Sequence, residues 1–199
     1  DMYSKLGLIG KARQVLEKLP SRDVVTWNSL IAGYVQQGQY HEAFMYFEWM
    51  KKEDLYPDVV TFICILKACG SIGDIEKGKQ IHDEIMGRGL LETDAVLGTA
   101  LLDMYAKCGE LAKAHNLLEE LPCRDIVSWN SVISGYAQQG QGYGALNTFE
   151  HMQNEGLSPN EVTFVCLLKA CGSIGDLEKG KEIHKQVKCK GLLEKDIAL

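Results

Sequence analysis

Apolar residues recur with helical spacing from Thr26 to Gln37, at Trp27, Leu30, Ile31, Tyr34 and Val35. Gly38 then supplies a stop signal. A second stretch, Tyr40 to Lys52, places Ala43, Phe44, Phe47 and Met50 on one face, before Leu55-Tyr56-Pro57-Asp58 breaks the pattern. The spacing predicts a helical hairpin over residues 24–58. The same plan fits Val59 to Asp94, with turn signals from Gly70 to Asp74, and Ala95 to Asp125, with a turn at Lys107-Cys108-Gly109. It fits Ile126 to Asn160 and Glu161 to Asp196 as well; residues 1–23 read as the back part of a further unit and 197–199 as the start of another.

These hairpins belong to a larger repeat. Shifted by 102 residues the chain overlays itself, and more than half of the overlapping positions are identical. LKACGSIGDIEKG, from Leu66 to Gly78, meets LKACGSIGDLEKG, from Leu168 to Gly180. Hairpins of 31 to 36 residues bury their apolar faces only against neighbours, so the expected fold is an all-α solenoid.

Composition narrows the function classes. With 46% hydrophobic and 24% charged residues, the 199-residue chain is neither a disordered tail nor a fibre. No apolar run reaches the ~18 residues of a membrane span, and Asp-Met-Tyr-Ser-Lys has none of the pattern of a signal peptide. A net charge of −6 argues against tight non-specific binding to duplex DNA, though a local groove can carry its own field. The seven cysteines form no C-x-x-C pair; Cys64 and Cys69 recur as Cys166 and Cys171 in like apolar contexts, which reads as buried thiols in a reducing compartment. Gly73 to Lys79 imitates a phosphate-binding G-x-x-x-x-G-K loop, but Gln80 replaces the required Ser/Thr and no strand precedes it. His82, His115 and His184, with cysteines nearby, reach neither H-E-x-x-H nor the deaminase H-x-E…C-x-x-C spacing, so neither metal nor cofactor is expected.

The repeats resemble pentatricopeptide repeats of the land-plant type that alternates P, L and S units. VVTWNSLIAGYVQQGQYHEAFMYFEWMKKEDLYPD (24–58) and its copy at 126–160 resemble P repeats. Units 59–94 and 161–196, with LKACGSIGDIEKGKQIH and its counterpart, resemble L repeats; 95–125, with ALLDMYAKCGELAKAHNLLEELPCRD, resembles an S repeat. Residues 1–23 then form a partial S repeat and 197–199 the start of the next. The resemblance implies a right-handed superhelix that binds single-stranded RNA, about one base per repeat, read by the fifth and last residues of each unit.

Carried onto this sequence, the resemblance implies that Asn28 with Asp58 favours uracil, Thr99 with Asp125 guanine, and Asn130 with Asn160 cytosine with tolerance of uracil. Ile63 with Asp94 and Val165 with Asp196 are weak readers, because an apolar fifth residue cannot hydrogen-bond a base. The expected target is 5′-U-x-G-C-x-3′. Val25, Val60, Val96, Val127 and Val162 stand where the family sandwiches bases, the alternative being core packing. The aspartates could instead cap helices, and the asparagines could be solvated polar sites. Lys5 and Lys107 are candidate backbone contacts, and Glu42, Glu48, Glu76 and Glu84 are expected on a solvent-facing surface.

The resemblance further implies the recognition part of an RNA-editing (C-to-U) or RNA-processing factor of the chloroplast or mitochondrion, not itself catalytic. Small organellar editing-factor proteins, held through the L repeats, are implied partners. An α-solenoid scaffold for protein–protein contacts is the alternative, favoured by the acidity.

Overall fold

The computed structural model describes residues 22–92 and 94–190, together with positions 10, 11 and 14. The expected partial repeat at 1–23, Lys5, Asp196 and the unit start at 197–199 therefore lie almost wholly outside the described residues. The chain divides into two compact units, Asp1–Met104 and Tyr105–Leu199.

Ten bounded α-helices and one 3-10 turn make up the described regular structure, with no strand among the described residues. In the first unit α1 (Val24–Gln36) pairs with α2 (Tyr40–Lys52), and α3 (Val59–Ile72) with α4 (Ile75–Gly87). Helix α5 (Ala95–Lys107) begins in the first unit and ends in the second. The second unit holds α6 (Leu111–Glu120), α7 (Ile126–Gln138), α8 (Gly142–Asn154), α9 (Glu161–Ile174) and α10 (Leu177–Cys189). Helix α1 also packs on α3, and α7 on α9, so each of these first helices touches its own partner and the first helix of the next hairpin. This is the stacking that a solenoid requires.

Short polar residues start these helices. Asp23, Asp58, Asp125 and Asn160 sit in extended backbone and accept backbone N–H bonds from the first turns of α1, α3, α7 and α9. Asp74 and Asp176 do the same for α4 and α10. The turn expected between Gly70 and Asp74 falls at the end of that span: α3 continues through a buried Gly70 to Ile72, and Gly73 closes it at φ +72°. Gly175 closes α9 in the same left-handed conformation, at φ +71°. Gly70 fails as a breaker because a helix tolerates one glycine when its neighbours Ile65, Leu66, Ala68 and Cys69 are all buried.

The cores of the two units repeat the 102-residue register. Trp27, Ile31, Phe47, Met50 and Phe62 are buried in the first, and Trp129, Ile133, Phe149, Met152 and Phe164 in the second. Gly135 lets α7 approach α5 closely, since a Cβ there would stand 2.7 Å from the Ala106 Cβ. Arg22 lies over Trp27 and Trp49, 5.9 Å from each ring, and pairs with Glu53. Of the four glutamates expected at the surface, Glu42 and Glu76 are exposed and Glu48 and Glu84 half-buried; Glu48, Glu76 and Glu84 pair with Lys77, Lys79 and Lys51 respectively.

None of the seven cysteines is in a disulfide; Cys69 and Cys171 are buried, Cys64, Cys108 and Cys166 half-buried, and Cys123 and Cys189 exposed. Burial pushes the Cys64 and Cys171 thiols up, so both stay protonated and unreactive. The fold is therefore expected to melt at the same temperature with and without reductant. A fall of more than ~5 °C on reduction, the effect of about 2 kcal/mol in a chain of this length, would show that a disulfide supports it.

Candidate functional site

The fifth and last residues of the first full hairpin meet as a hydrogen-bonded triad completed by a threonine. Asn28, on α1, donates from Nδ2 to Asp58 Oδ1 at 2.8 Å. Thr61 donates its backbone N–H to the same Oδ1 at 2.9 Å and its hydroxyl to Asn28 Oδ1 at 2.5 Å. The Asp58 N–H donates back to Thr61 Oγ1 at 3.2 Å, closing a reciprocal cap. Burial alone would raise the Asp58 carboxyl, but the bonds from Thr61 and Asn28 outweigh it and hold the group below its ordinary value.

The second unit repeats the triad with one atom changed. Asn130 Nδ2 donates to Asn160 Oδ1 at 3.1 Å, Thr163 N–H to Asn160 Oδ1 at 3.0 Å, and the Thr163 hydroxyl to Asn130 Oδ1 at 2.8 Å. The Asn160 N–H returns to Thr163 Oγ1 at 3.1 Å. Because a backbone N–H can only donate, the atom of Asn160 that faces Thr163 must be the carbonyl oxygen, which turns the NH₂ outward.

Each triad thus leaves a defined pair of groups uncommitted. In the first these are the second N–H of Asn28 and the Oδ2 of Asp58: a donor beside an acceptor. In the second they are the second N–H of Asn130 and the NH₂ of Asn160: two donors. Asp58 and Asn160 are exposed, whereas Asn28 and Asn130 keep only 7% of their surface. The asparagines are consequently not solvated sites on a helix; they stand behind the last residues and orient them. The last residues are helix caps as well, so capping and an outward-facing polar group coexist.

The remaining site residues are less tightly held. Thr99, in the first unit, turns its hydroxyl onto the Ala95 carbonyl at 3.1 Å. Asp125, in the second, caps α7 by accepting from Val127 N and Ser128 N at 3.0 and 2.9 Å. Asp94 accepts from Leu97 N at 3.0 Å. Ile63 is half-buried and Val165 is exposed, and neither brings a polar group to the surface.

Core packing is excluded for the five valines. Val25, Val60, Val96, Val127 and Val162 are 52–69% exposed, each in the first turn of α1, α3, α5, α7 or α9. Within each unit these stiff, branched apolar side chains are held in solvent at one register, beside the caps.

Sequence reasoning missed two groups at this site. One is Thr61 and Thr163, although the D-x-x-T and N-x-x-T spacing of a cap with its reciprocal partner was readable. The other is a cation on the last turn or just past it. Arg88 donates to the Pro57 carbonyl at 2.8 Å and lies 5.2 Å from the Phe62 ring; Lys190 donates to the Pro159 carbonyl at 3.1 Å and lies 5.7 Å from Phe164. Both clip the peptide just before the exposed cap, and Pro159, Asn160, Val162 and Lys190 line an open depression of about 460 Å³.

A model of the PPR repeat family matches residues 22–71 and 124–173, and one of the single PPR repeat matches 60–90, 99–126 and 162–192. A pentatricopeptide repeat-containing protein of Arabidopsis thaliana is 41% identical over 186 residues, 94% of this chain and 23% of that protein. Another from the same plant, named as chloroplastic, is 39% identical over 188 residues, 94% of this chain and 30% of its own. Among solved structures, PPR10 from maize superposes with a TM-score of 0.75 at 24% identity, over 95% of this chain and 28% of that one. PPR10 in complex with an 18-nt psaJ RNA element gives a TM-score of 0.74 at 19% identity, over 89% of this chain and 27% of that one. The chain spans about a quarter of the length of the relatives it matches.

Proposed function

The chain belongs to the pentatricopeptide repeat family, and from that premise we propose that it binds single-stranded RNA in a sequence-dependent manner, about one base per repeat. The observation that carries the reading is the pair of unlike outward edges. A donor beside an acceptor, from Asn28 and Asp58, complements uracil, which offers a carbonyl oxygen beside N3–H. Two donors, from Asn130 and Asn160, complement cytosine, which offers N3 and O2 as adjacent acceptors. The exposed valines beside them supply apolar surfaces for the faces of the bases.

In this reading the repeats are P at 24–58 and 126–160, L at 59–94 and 161–196, and S at 95–125, with Thr99 and Asp125 reading guanine. The target is 5′-U-x-G-C-x-3′. The chain itself acts as the address-reading, non-catalytic part of a longer organellar protein in RNA editing or processing, with small editing-factor proteins docking on the L repeats. The maize protein with its RNA element and the relative named as chloroplastic support the ligand class and the compartment.

Binding of this chain alone is expected to be weak, because few repeats present readable edges and the net charge of −6 opposes phosphate. The test is a salt titration with labelled RNAs that carry 5′-U-x-G-C-x-3′ or a permuted order. A reader keeps its preference between the two while total affinity falls with salt. A protein scaffold shows no sequence dependence at any salt, and that result would overturn the reading. A sub-nanomolar constant at physiological salt would contradict the expected weakness.

A further inference from the structure

The second unit gathers three metal-ligating side chains that no local motif announces. His115 and Glu119 are four residues apart on α6, which sets them on one face, and His151 reaches them from α8. One ring nitrogen of each histidine and one oxygen of Glu119 all lie within 4.8 Å of one another. The ring centroids of His115 and His151 are 6.1 Å apart with the planes inclined at 56°, so the rings are not stacked.

The distances suit a shared cation better than a hydrogen bond. His115 Nε2 stands 3.5 Å from Glu119 Oε1, beyond the usual N–H···O range. A tetrahedral zinc with bonds near 2.0–2.1 Å has ligand-to-ligand edges of about 3.3 Å, and two imidazoles on it have centroids about 5 Å apart. An adjustment of about 1 Å in the exposed His151 side chain therefore completes the geometry. His115 Nδ1 is buried without a hydrogen-bond partner, which leaves Nε2 as the nitrogen directed at Glu119. With Nε2 on a metal, Nδ1 would carry a proton with no acceptor, so the affinity is modest rather than that of a structural zinc site.

The surroundings leave room for an ion with its water. Glu119 and His151 border an open depression of about 470 Å³. Arg124, which also lines it, is bound to Glu155 Oε1 at 2.6 Å and to the Glu119 carbonyl at 2.9 Å, so its charge is paired. The residues 102 positions earlier are Arg13, Glu17 and Trp49, so the first copy of the repeat has only one of the three donors. The cluster is thus a property of the second copy and not of the repeat.

We propose that His115, Glu119 and His151 bind a divalent transition-metal ion of the zinc class, through two imidazoles and one carboxylate, with water as the fourth ligand. This donor set suits zinc, copper or nickel and not magnesium or calcium. The ion links the second helix of one hairpin to that of the next.

The test is calorimetric titration of the metal-free chain with Zn²⁺, in a Cys123→Ser/Cys189→Ser background that removes the two exposed thiols. One equivalent is expected to bind, with a rise in melting temperature. His151→Trp, which installs the residue found at the matching place in the first copy, is expected to weaken this binding by about tenfold or more and to abolish the rise; His115→Gln does the same. Cobalt in the site shows visible bands without a near-ultraviolet thiolate band. A parent chain that takes up no zinc, or a His151→Trp chain that binds it as tightly as the parent, overturns the proposal.

Discussion

Asn160→Asp is expected to turn the second P-type site from a preference for cytosine to one for uracil, a swing of roughly tenfold or more. The structure makes this nearly a single-group exchange. The inner oxygen of residue 160 keeps its donors, Thr163 N–H at 3.0 Å and Asn130 Nδ2 at 3.1 Å, because asparagine and aspartate present the same atom there. Only the outward group changes, from NH₂ to a carboxylate oxygen. Cytosine N3 would then meet a lone pair, while uracil N3–H gains an acceptor. A mismatched, partly desolvated polar contact costs about 1–3 kcal/mol. Asp58 is the internal precedent, held by the same partners in the first unit.

Stability should hardly change, since both residues cap helices well. The preference gained should also depend on pH. In the precedent, hydrogen bonds hold the Asp58 carboxyl below its ordinary value, so its contribution is complete above that value and lost as pH falls through the lowered one. Competition binding of parent and variant with two RNAs that differ only at this base provides the measurement. An unchanged cytosine-to-uracil ratio would mean that residue 160 caps α9 and reads nothing.

The hairpins were legible because their signals are local. Apolar spacing, a polar cap and a stop glycine recur in each unit, and the second helix of the first hairpin occupies the expected Tyr40–Lys52. Within the turn span from Gly70 to Asp74 the exact helix end was hidden, because whether Gly70 stays helical depends on burial by neighbours, which a window of sequence does not contain. The site divides in the same way. Residues 28, 58, 130 and 160 could be singled out from their places in the repeat, but the amide orientation of Asn160 follows from a backbone N–H on the following helix. The exposure of the valines was equally hidden, since a valine in an apolar-faced helix reads as core until the helix is placed. His151 lies 36 positions after His115, and only the packing of α6 and α8 against α7 brings the rings together.

Thr163→Val is expected to destabilise the chain by about 1–3 kcal/mol and to pull the cytosine-to-uracil ratio of the second site towards one. Valine fills the same volume, so the packing is kept and only the hydroxyl is removed. One donated bond, one accepted bond and a close polar contact depend on that hydroxyl. It donates to Asn130 Oδ1 at 2.8 Å, approaches Asn160 Oδ1 at 3.0 Å, and accepts the Asn160 N–H at 3.1 Å. Thr163 is fully buried and Asn130 almost so, so water cannot replace what is lost and a carbonyl oxygen is left without a donor. The Asn130 amide, held at both ends in the parent, is then held at one end only. Its second N–H no longer has a fixed direction, and the two-donor edge loses definition. Thr163→Ser is the control: it restores the hydroxyl, as Ser128 provides it under the Asp125 cap, and should recover both stability and preference. Thermal melts and the paired-RNA competition on both variants distinguish the outcomes. If Thr163→Val melts with the parent, the hydroxyl does not hold the triad; if it melts lower yet discriminates as well as the parent, the triad caps a helix without orienting a reader.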